Sequence, residues 1–183
     1  MISDDYKKQN QELHNRPNGF GGGGHKHLPE ISRLVTDEGI ETILDYGCGQ
    51  ASLSRHCQFN ITNYDPCVDV YSNKPTSKFD LVVCTDVLEH VEPEHLKDVI
   101  DDVFNYANKC VYFCIACLPA NKTLPDGRNA HLTQEQPDFW MDLLLPYIDN
   151  WMMLHNFQRF EISKEFSPNV KKFTLAFRKR VQK

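Results

Sequence analysis

Glu41-Thr-Ile-Leu-Asp45-Tyr-Gly47-Cys-Gly49-Gln-Ala-Ser52 is the stretch on which the reading of this chain turns. Its first residues form the β-branched, apolar run of a strand buried on both faces, and they lead into a carboxylate and then a two-glycine turn. Strand, acid and glycine turn in that order make the nucleotide-contacting corner of an α/β fold. Downstream, Ile61-Thr-Asn-Tyr-Asp65-Pro66 gives a second short strand ending in an acid, placed to bind both hydroxyls of a ribose. Phe79-Asp-Leu-Val-Val-Cys-Thr-Asp86-Val-Leu-Glu89-His90-Val adds a third strand with an acidic, histidine-bearing end.

Charge and spacing separate the two cofactors such a corner could take. A dinucleotide fingerprint needs glycine or alanine three residues after its second glycine, and Ser52 stands there. A pyrophosphate would also meet Asp45, two residues before the first glycine. S-adenosylmethionine (SAM) brings an ammonium instead, which suits a carboxylate at the strand end, and bare glycines let the backbone approach the ligand.

The run Leu44-Asp45-Tyr46-Gly47-Cys48-Gly49, then Tyr64-Asp65-Pro66, Phe79-Asp80-Leu81-Val82-Val83 and Asp86-Val87-Leu88-Glu89-His90-Val91, resembles the class I SAM-dependent methyltransferases. The likeness is strong over residues 40 to 118 and is nearest to small stand-alone enzymes of phages and bacteria. It implies a Rossmann-like, doubly wound, mostly parallel sheet with an antiparallel last strand. It also implies a cofactor site at the strand ends, with Asp45, Gly47, Gly49, Asp65, Asp86 and Leu88 as contacts. Two departures stand out. Ala51 replaces the usual third glycine, and alanine serves there only if the backbone needs no positive φ. Thirteen residues between Asp65 and Phe79 are too few for the usual helix, third strand and loop, so the sheet is expected to be trimmed at that edge.

Leu118-Pro-Ala-Asn-Lys-Thr-Leu-Pro-Asp126-Gly-Arg128-Asn129-Ala-His131 is a long polar loop after a strand, at the sheet edge where ligands bind. Asp126, Arg128 and Asn129 are candidate substrate contacts, although Pro125-Asp126-Gly127 alone would also make a structural turn. His131 is the first candidate for a general base and His90 the second, since a neutral imidazole can take a proton from an oxygen or nitrogen acceptor. A histidine bonded to a loop carbonyl would look the same in sequence. No metal site is assigned. The glycines and histidines of Gly19 to His27 could form an anion or metal nest, but they read rather as a flexible linker.

The chain contains no Asp-Pro-Pro-Tyr or Asn-Pro-Pro-Tyr clamp for an exocyclic amine, and Cys67 is misplaced for a cytosine-attacking nucleophile. A small molecule, or a small group on a carrier such as a sugar, is therefore the expected acceptor. A noncatalytic SAM-binding domain and an RNA or DNA methyltransferase are the rival readings. The formal charge of −5 over 183 residues disfavours broad phosphate binding. Lys171, Lys172, Arg178, Lys179, Arg180 and Lys183 nevertheless make a basic end, read as a solvated last strand and tail.

Seven cysteines, several in apolar runs, read as reduced core thiols. Cys110, Cys114 and Cys117 have the spacing of an iron–sulfur motif. In a strand, however, the first two face one side and the third the other. No apolar run approaches membrane length and the amino terminus lacks a signal-peptide core, so a cytoplasmic protein is expected, in the host cytoplasm if viral.

The organisation expected is a flexible amino-terminal arm or lid over residues 1–27 and one SAM-binding domain over 28–183. Helices are expected at 28–38, 51–57, 94–108 and 137–145, and strands at 61–64, 79–85, 110–117, 157–166 and 172–179. The amino end of the 51–57 helix would lend positive partial charge to the cofactor site.

Overall fold

The computed structural model of the chain describes residues 2–16, 21–165 and 169–181. Its strands are β1 (Ile43–Tyr46), β2 (Ile61–Tyr64), β3 (Phe79–Thr85), β4 (Ala107–Ala116), β5 (Trp151–Met153), β6 (Arg159–Ile162) and β7 (Val170–Lys179). They form one sheet in the order β2-β1-β3-β4-β7-β5, with β6 also on β7. The first four strands run parallel, and β7 is antiparallel to β4, β5 and β6.

The sheet is trimmed where the short spacing predicts it. Between β2 and β3 the chain makes only a 3-10 turn, Asp69–Tyr71, and β2 is the edge. The opposite edge departs from the sequence reading. Its expected strand over 157–166 is β6 alone, while β5 is a separate strand that pairs with the far end of β7 through Trp151 and Lys179. A 3-10 turn at His155–Phe157 separates the two. Three apolar residues are too short a run for periodicity to reveal.

Among the described residues there are five α-helices: α1 (Asp4–Asn15), α2 (Leu28–Glu38), α3 (Ser52–Arg55), α4 (Leu96–Tyr106) and α5 (Pro137–Leu144). Pro29 opens α2, where a missing N–H costs nothing, and Gly39 closes it with a left-handed φ of 60°. Leu96, Val99, Ile100, Val103 and Phe104 of α4 form the buried stripe that their spacing implies.

Alternate residues of the central strands feed two cores. Leu44, Val82, Val111 and Phe113 pack under α4 and α5, with Trp140. Ile43, Leu81, Val83 and Tyr112 pack under α2, with Ile31 and Leu34. Each such aliphatic side chain removed from water contributes roughly 1.5–3 kcal/mol. Cys110 and Cys114 of β4 belong to the second core and Cys117, just past the end of β4, to the first, so the three thiols do not share one side of the sheet.

The sequence reading assigns no element to the first residues, yet α1 is well specified. Ser3 Oγ accepts from Tyr6 N at 3.1 Å, and Asp4 and Asp5 occupy the first turn. Tyr6 and Leu13 are buried against Leu124 and Ala130 of the loop after β4, forming a third, small core. Ser3 also binds Glu92 twice, through its N at 2.7 Å and its Oγ at 2.6 Å. The stretch Gly24–His27 forms a 3-10 turn. No helix among the described residues is long and apolar enough to cross a membrane.

Candidate active site

Parallel pairing levels the strands: Asp45 lies beside Asn63 of β2 and Val83 of β3. The residues just beyond therefore emerge together at one sheet edge. There they line a cleft of about 1440 Å³ whose wall includes Asp45, Gly47, Gly49, Asp65, Asp86, His90 and His131. Single small-ligand sites usually span about 300–1,000 Å³, so this cleft has room for a cofactor and an acceptor together.

The glycine turn wraps the end of β2. Gly47 N and Cys48 N both donate to Tyr64 O, at 2.7 and 3.1 Å. Gly47 has φ 74°, and a Cβ there would lie 2.4 Å from Val87 Cγ2, so only glycine fits. Ala51 corrects an expectation: it takes φ 53°, the left-handed conformation that a third glycine would supply. A single non-glycine residue in that region costs roughly 1–2 kcal/mol. The helix that follows is four residues rather than seven, which reduces its dipole to a single turn.

Asp45 and Asp65 are both buried. Burial, and secondarily Asp65, pushes the Asp45 carboxyl up to about 7. Asp65 is pinned by backbone amides, with Oδ2 accepting from Gly49 N at 2.9 Å and Oδ1 from Cys67 N at 2.8 Å. Two buried carboxylates, the first with no cation beside it among the described residues, next to a turn bare of side chains, fit a ligand that carries an ammonium and vicinal hydroxyls. SAM is such a ligand.

Asp86, at the end of β3, also takes a left-handed φ, 55°. Its backbone N donates to Cys114 O at 2.9 Å, and its Oδ1 lies 2.6 Å from Lys172 Nζ on β7. Four residues on, His90 meets His131 edge to face, with ring centroids 4.7 Å apart. His90 Nδ1 bonds Ala130 O at 2.7 Å and His131 Nδ1 bonds Leu118 O at 2.5 Å. Burial, then the neighbouring His131, lowers His90 to about 4; burial also lowers His131. Burial thus favours the neutral form of both imidazoles.

The model of the methyltransferase domain family matches residues 21–160 of this chain. The chain belongs to that family. Among solved structures, the N-methyltransferase NodS of Bradyrhizobium japonicum WM9, in complex with S-adenosylhomocysteine, superposes with a TM-score of 0.62 at 13% identity, covering 97% of this chain and 100% of that one. The magnesium protoporphyrin IX methyltransferase ChlM of Synechocystis PCC 6803 gives 0.56 at 16% identity, covering 97% and 95%. The small RNA methyltransferase HEN1 gives 0.61 at 13% identity, covering 91% of this chain and 26% of that one. Comparison by sequence with curated proteins finds no match. By family and fold the chain is a class I SAM-dependent methyltransferase.

Not every expected residue of this methyltransferase reaches the cleft. Leu88 is buried in the core under α4. Asp126 and Arg128 are exposed and pair with each other, Oδ2 to Nε at 2.7 Å. Asn129 spends its amide on the loop: Oδ1 accepts from Ala120 N and His131 N, and Nδ2 donates to Ala120 O, all at 2.9 Å. It holds the loop that carries His131. The sequence reading gives residues 1–27 as a flexible arm or lid without naming contacts there, whereas Tyr6, Asn10 and His14 of α1 and Gly21, Gly23 and Gly24 line the cleft. The cap Ser3 followed by two acids was the available signal. Glu89, fully buried beside both histidines, carries no sequence signal beyond its place in an acidic stretch.

Proposed function

We propose that this methyltransferase moves a methyl group from SAM to an oxygen or nitrogen of a small molecule, or of a small group on a larger carrier, by in-line displacement. SAM supplies a methyl that its sulfonium already makes electrophilic. Asp45 would face the ammonium, the Gly47–Gly49 backbone the methionyl chain, and Asp65 the ribose hydroxyls. The acceptor lone pair forms the bond to the methyl carbon while the methyl–sulfur pair returns to sulfur. The acceptor proton passes to an imidazole, with His131 first and His90 second.

The observation that carries this reading is the pair of imidazoles on the cleft wall, each held by a backbone carbonyl through Nδ1. That contact leaves Nε2 as the basic nitrogen. The charge pattern supports a small acceptor. Lys172 pairs with Asp86, Lys171 with Glu161 and Arg178 with Glu38, so much of the basic end is neutralised by the chain's own acids. Relatives in fold act on unlike acceptors, among them magnesium protoporphyrin IX and small RNA, so fold alone does not choose.

Methyl-labelled SAM, offered with panels of small molecules, glycosylated carriers and RNA or DNA at two salt concentrations, tests the proposal. Transfer to a small acceptor, with His131→Gln lowering kcat about 10²–10⁴-fold at unchanged SAM affinity, is the expected result. Transfer only to nucleic acid, lost steeply with salt, would replace it with the nucleic-acid reading. SAM binding without transfer to any acceptor would leave a binding domain.

A further inference from the structure

The acceptor end of the cleft holds a constellation that a proton-accepting imidazole alone does not explain. Glu89 is 0% exposed. Its Oε1 accepts from Ala116 N at 2.9 Å, whereas Oε2 is buried with no hydrogen-bond partner. An orphaned carboxylate oxygen in a protein interior costs several kilocalories per mole unless something else satisfies it, and here that oxygen belongs to a residue next to two imidazoles. One ligand atom from each of Glu89, His90 and His131 lies within 4.8 Å of the others. Both rings direct Nδ1 to backbone carbonyls, Ala130 O and Leu118 O. An Nδ1–H held by a carbonyl, with the lone pair on Nε2, is how a metal-binding histidine is oriented.

We propose that Glu89, His90 and His131 form a binding site for one divalent first-row cation at the acceptor end of the cleft. Two imidazoles and one carboxylate suit Mn²⁺, Fe²⁺, Co²⁺ or Zn²⁺, and three protein ligands leave coordination positions for water or an acceptor oxygen. The inference deepens the reading above, whose acceptor-side histidines would then be ligands rather than bases. A hydroxyl acceptor bound to the cation would lose its proton more readily. The site draws on the end of β3 and on the loop that Asn129 ties back to Ala120, so its ligands come from two separately braced segments. A second pair of histidines, His25 and His56, stacks at 4.5 Å but brings no carboxylate into a common group among the described residues.

Chelator-stripped protein titrated with Mn²⁺ alone, followed by calorimetry and by the loss of the free Mn²⁺ paramagnetic signal, tests the site. The expected result is one Mn²⁺ per chain, with affinity reduced at least tenfold in His131→Ala and in Glu89→Gln and unchanged in His56→Ala. SAM binding in each variant reports that it folds; should Glu89→Gln fail that check, the His131→Ala comparison decides alone. Binding of Mn²⁺, Co²⁺ and Zn²⁺ all weaker than about 1 mM, or Mn²⁺ affinity indifferent to His131→Ala, overturns the proposal. Failure of the acceptor reading looks different, because Mn²⁺ would bind with the same dependence on these variants while no acceptor was methylated.

Discussion

Gly21 lies with its backbone directly on that of Gly49: a Cβ on Gly21 would come within 2.6 Å of Gly49 Cα, and one on Gly49 within 2.5 Å of Gly21 Cα. Gly21 O also accepts from Gln50 N at 3.1 Å. The amino-terminal glycines are thus packed against the turn expected to hold the cofactor. Gly21→Ala would have to separate two backbones and place an alanine at φ 84°. The expected cost is about 1–3 kcal/mol in stability, with weaker SAM binding. Gly22→Ala, whose Cβ would meet nothing nearer than Gln50 Oε1 at 3.8 Å, is the matched control and should change neither quantity much. Urea unfolding and SAM calorimetry on the two variants read the difference.

Asp45 makes SAM binding depend on pH. Its carboxyl titrates near 7 in the folded chain against 3.8 ordinarily, because burial disfavours the charged form. For an acid with a raised folded-state pKa, the stability it lends is full below the unfolded pKa and is lost as pH rises through 7. A bound ammonium reverses that penalty by favouring the carboxylate. SAM affinity should therefore rise between pH 5.5 and 7.5, by up to about tenfold per pH unit on the acid side of the titration. The increase in melting temperature caused by SAM should grow in parallel. Asp45→Asn should bind weakly at every pH, with this slope removed.

The parts legible in the sequence were those fixed by local pattern. A buried strand followed by acid and glycines is written into residues 41–49, and the missing strand after Asp65 follows from counting residues. What escaped depended on long-range contacts. Ala51 takes a left-handed φ that its residue type disfavours, at the turn between β1 and α3. Glu89 reads as one more acid in an acidic stretch until the fold buries it between β4 and the loop of His131. Asp126 and Arg128 drew attention through their chemistry, yet they satisfy each other at the surface.

Ser3 ties the first helix to the body of the protein. It caps α1 and binds Glu92, so Ser3→Ala removes the cap and the hydroxyl bond to Glu92 Oε1, while the backbone N at that position still donates to Oε2. A cost of about 1–2 kcal/mol is expected, concentrated in α1. Hydrogen exchange should accelerate at the amides of α1 well before those of β3 and β4. Uniform acceleration across the sheet would instead make α1 part of the cooperative core.

Lys172 relates the fold to the proposed cation. It reaches from β7, where its backbone pairs with Ala116 of β4, to Asp86 at the end of β3, with Nζ 2.6 Å from Oδ1. The pair is partly exposed, at 28% and 36%, so Lys172→Met should cost only about 1–2 kcal/mol in urea unfolding rather than the larger cost of breaking a fully buried pair. The effect on Mn²⁺ should have the opposite sign. An ammonium close to Asp86 and Glu89 repels a dication and engages a carboxylate that would otherwise attract one, so its removal should tighten Mn²⁺ binding about tenfold, worth ~1.4 kcal/mol. Lower stability with tighter Mn²⁺ binding would make Lys172 a counter-charge that stands near the site until a cation arrives. Lower stability with unchanged Mn²⁺ binding would reduce the pair to a clasp between β3 and β7.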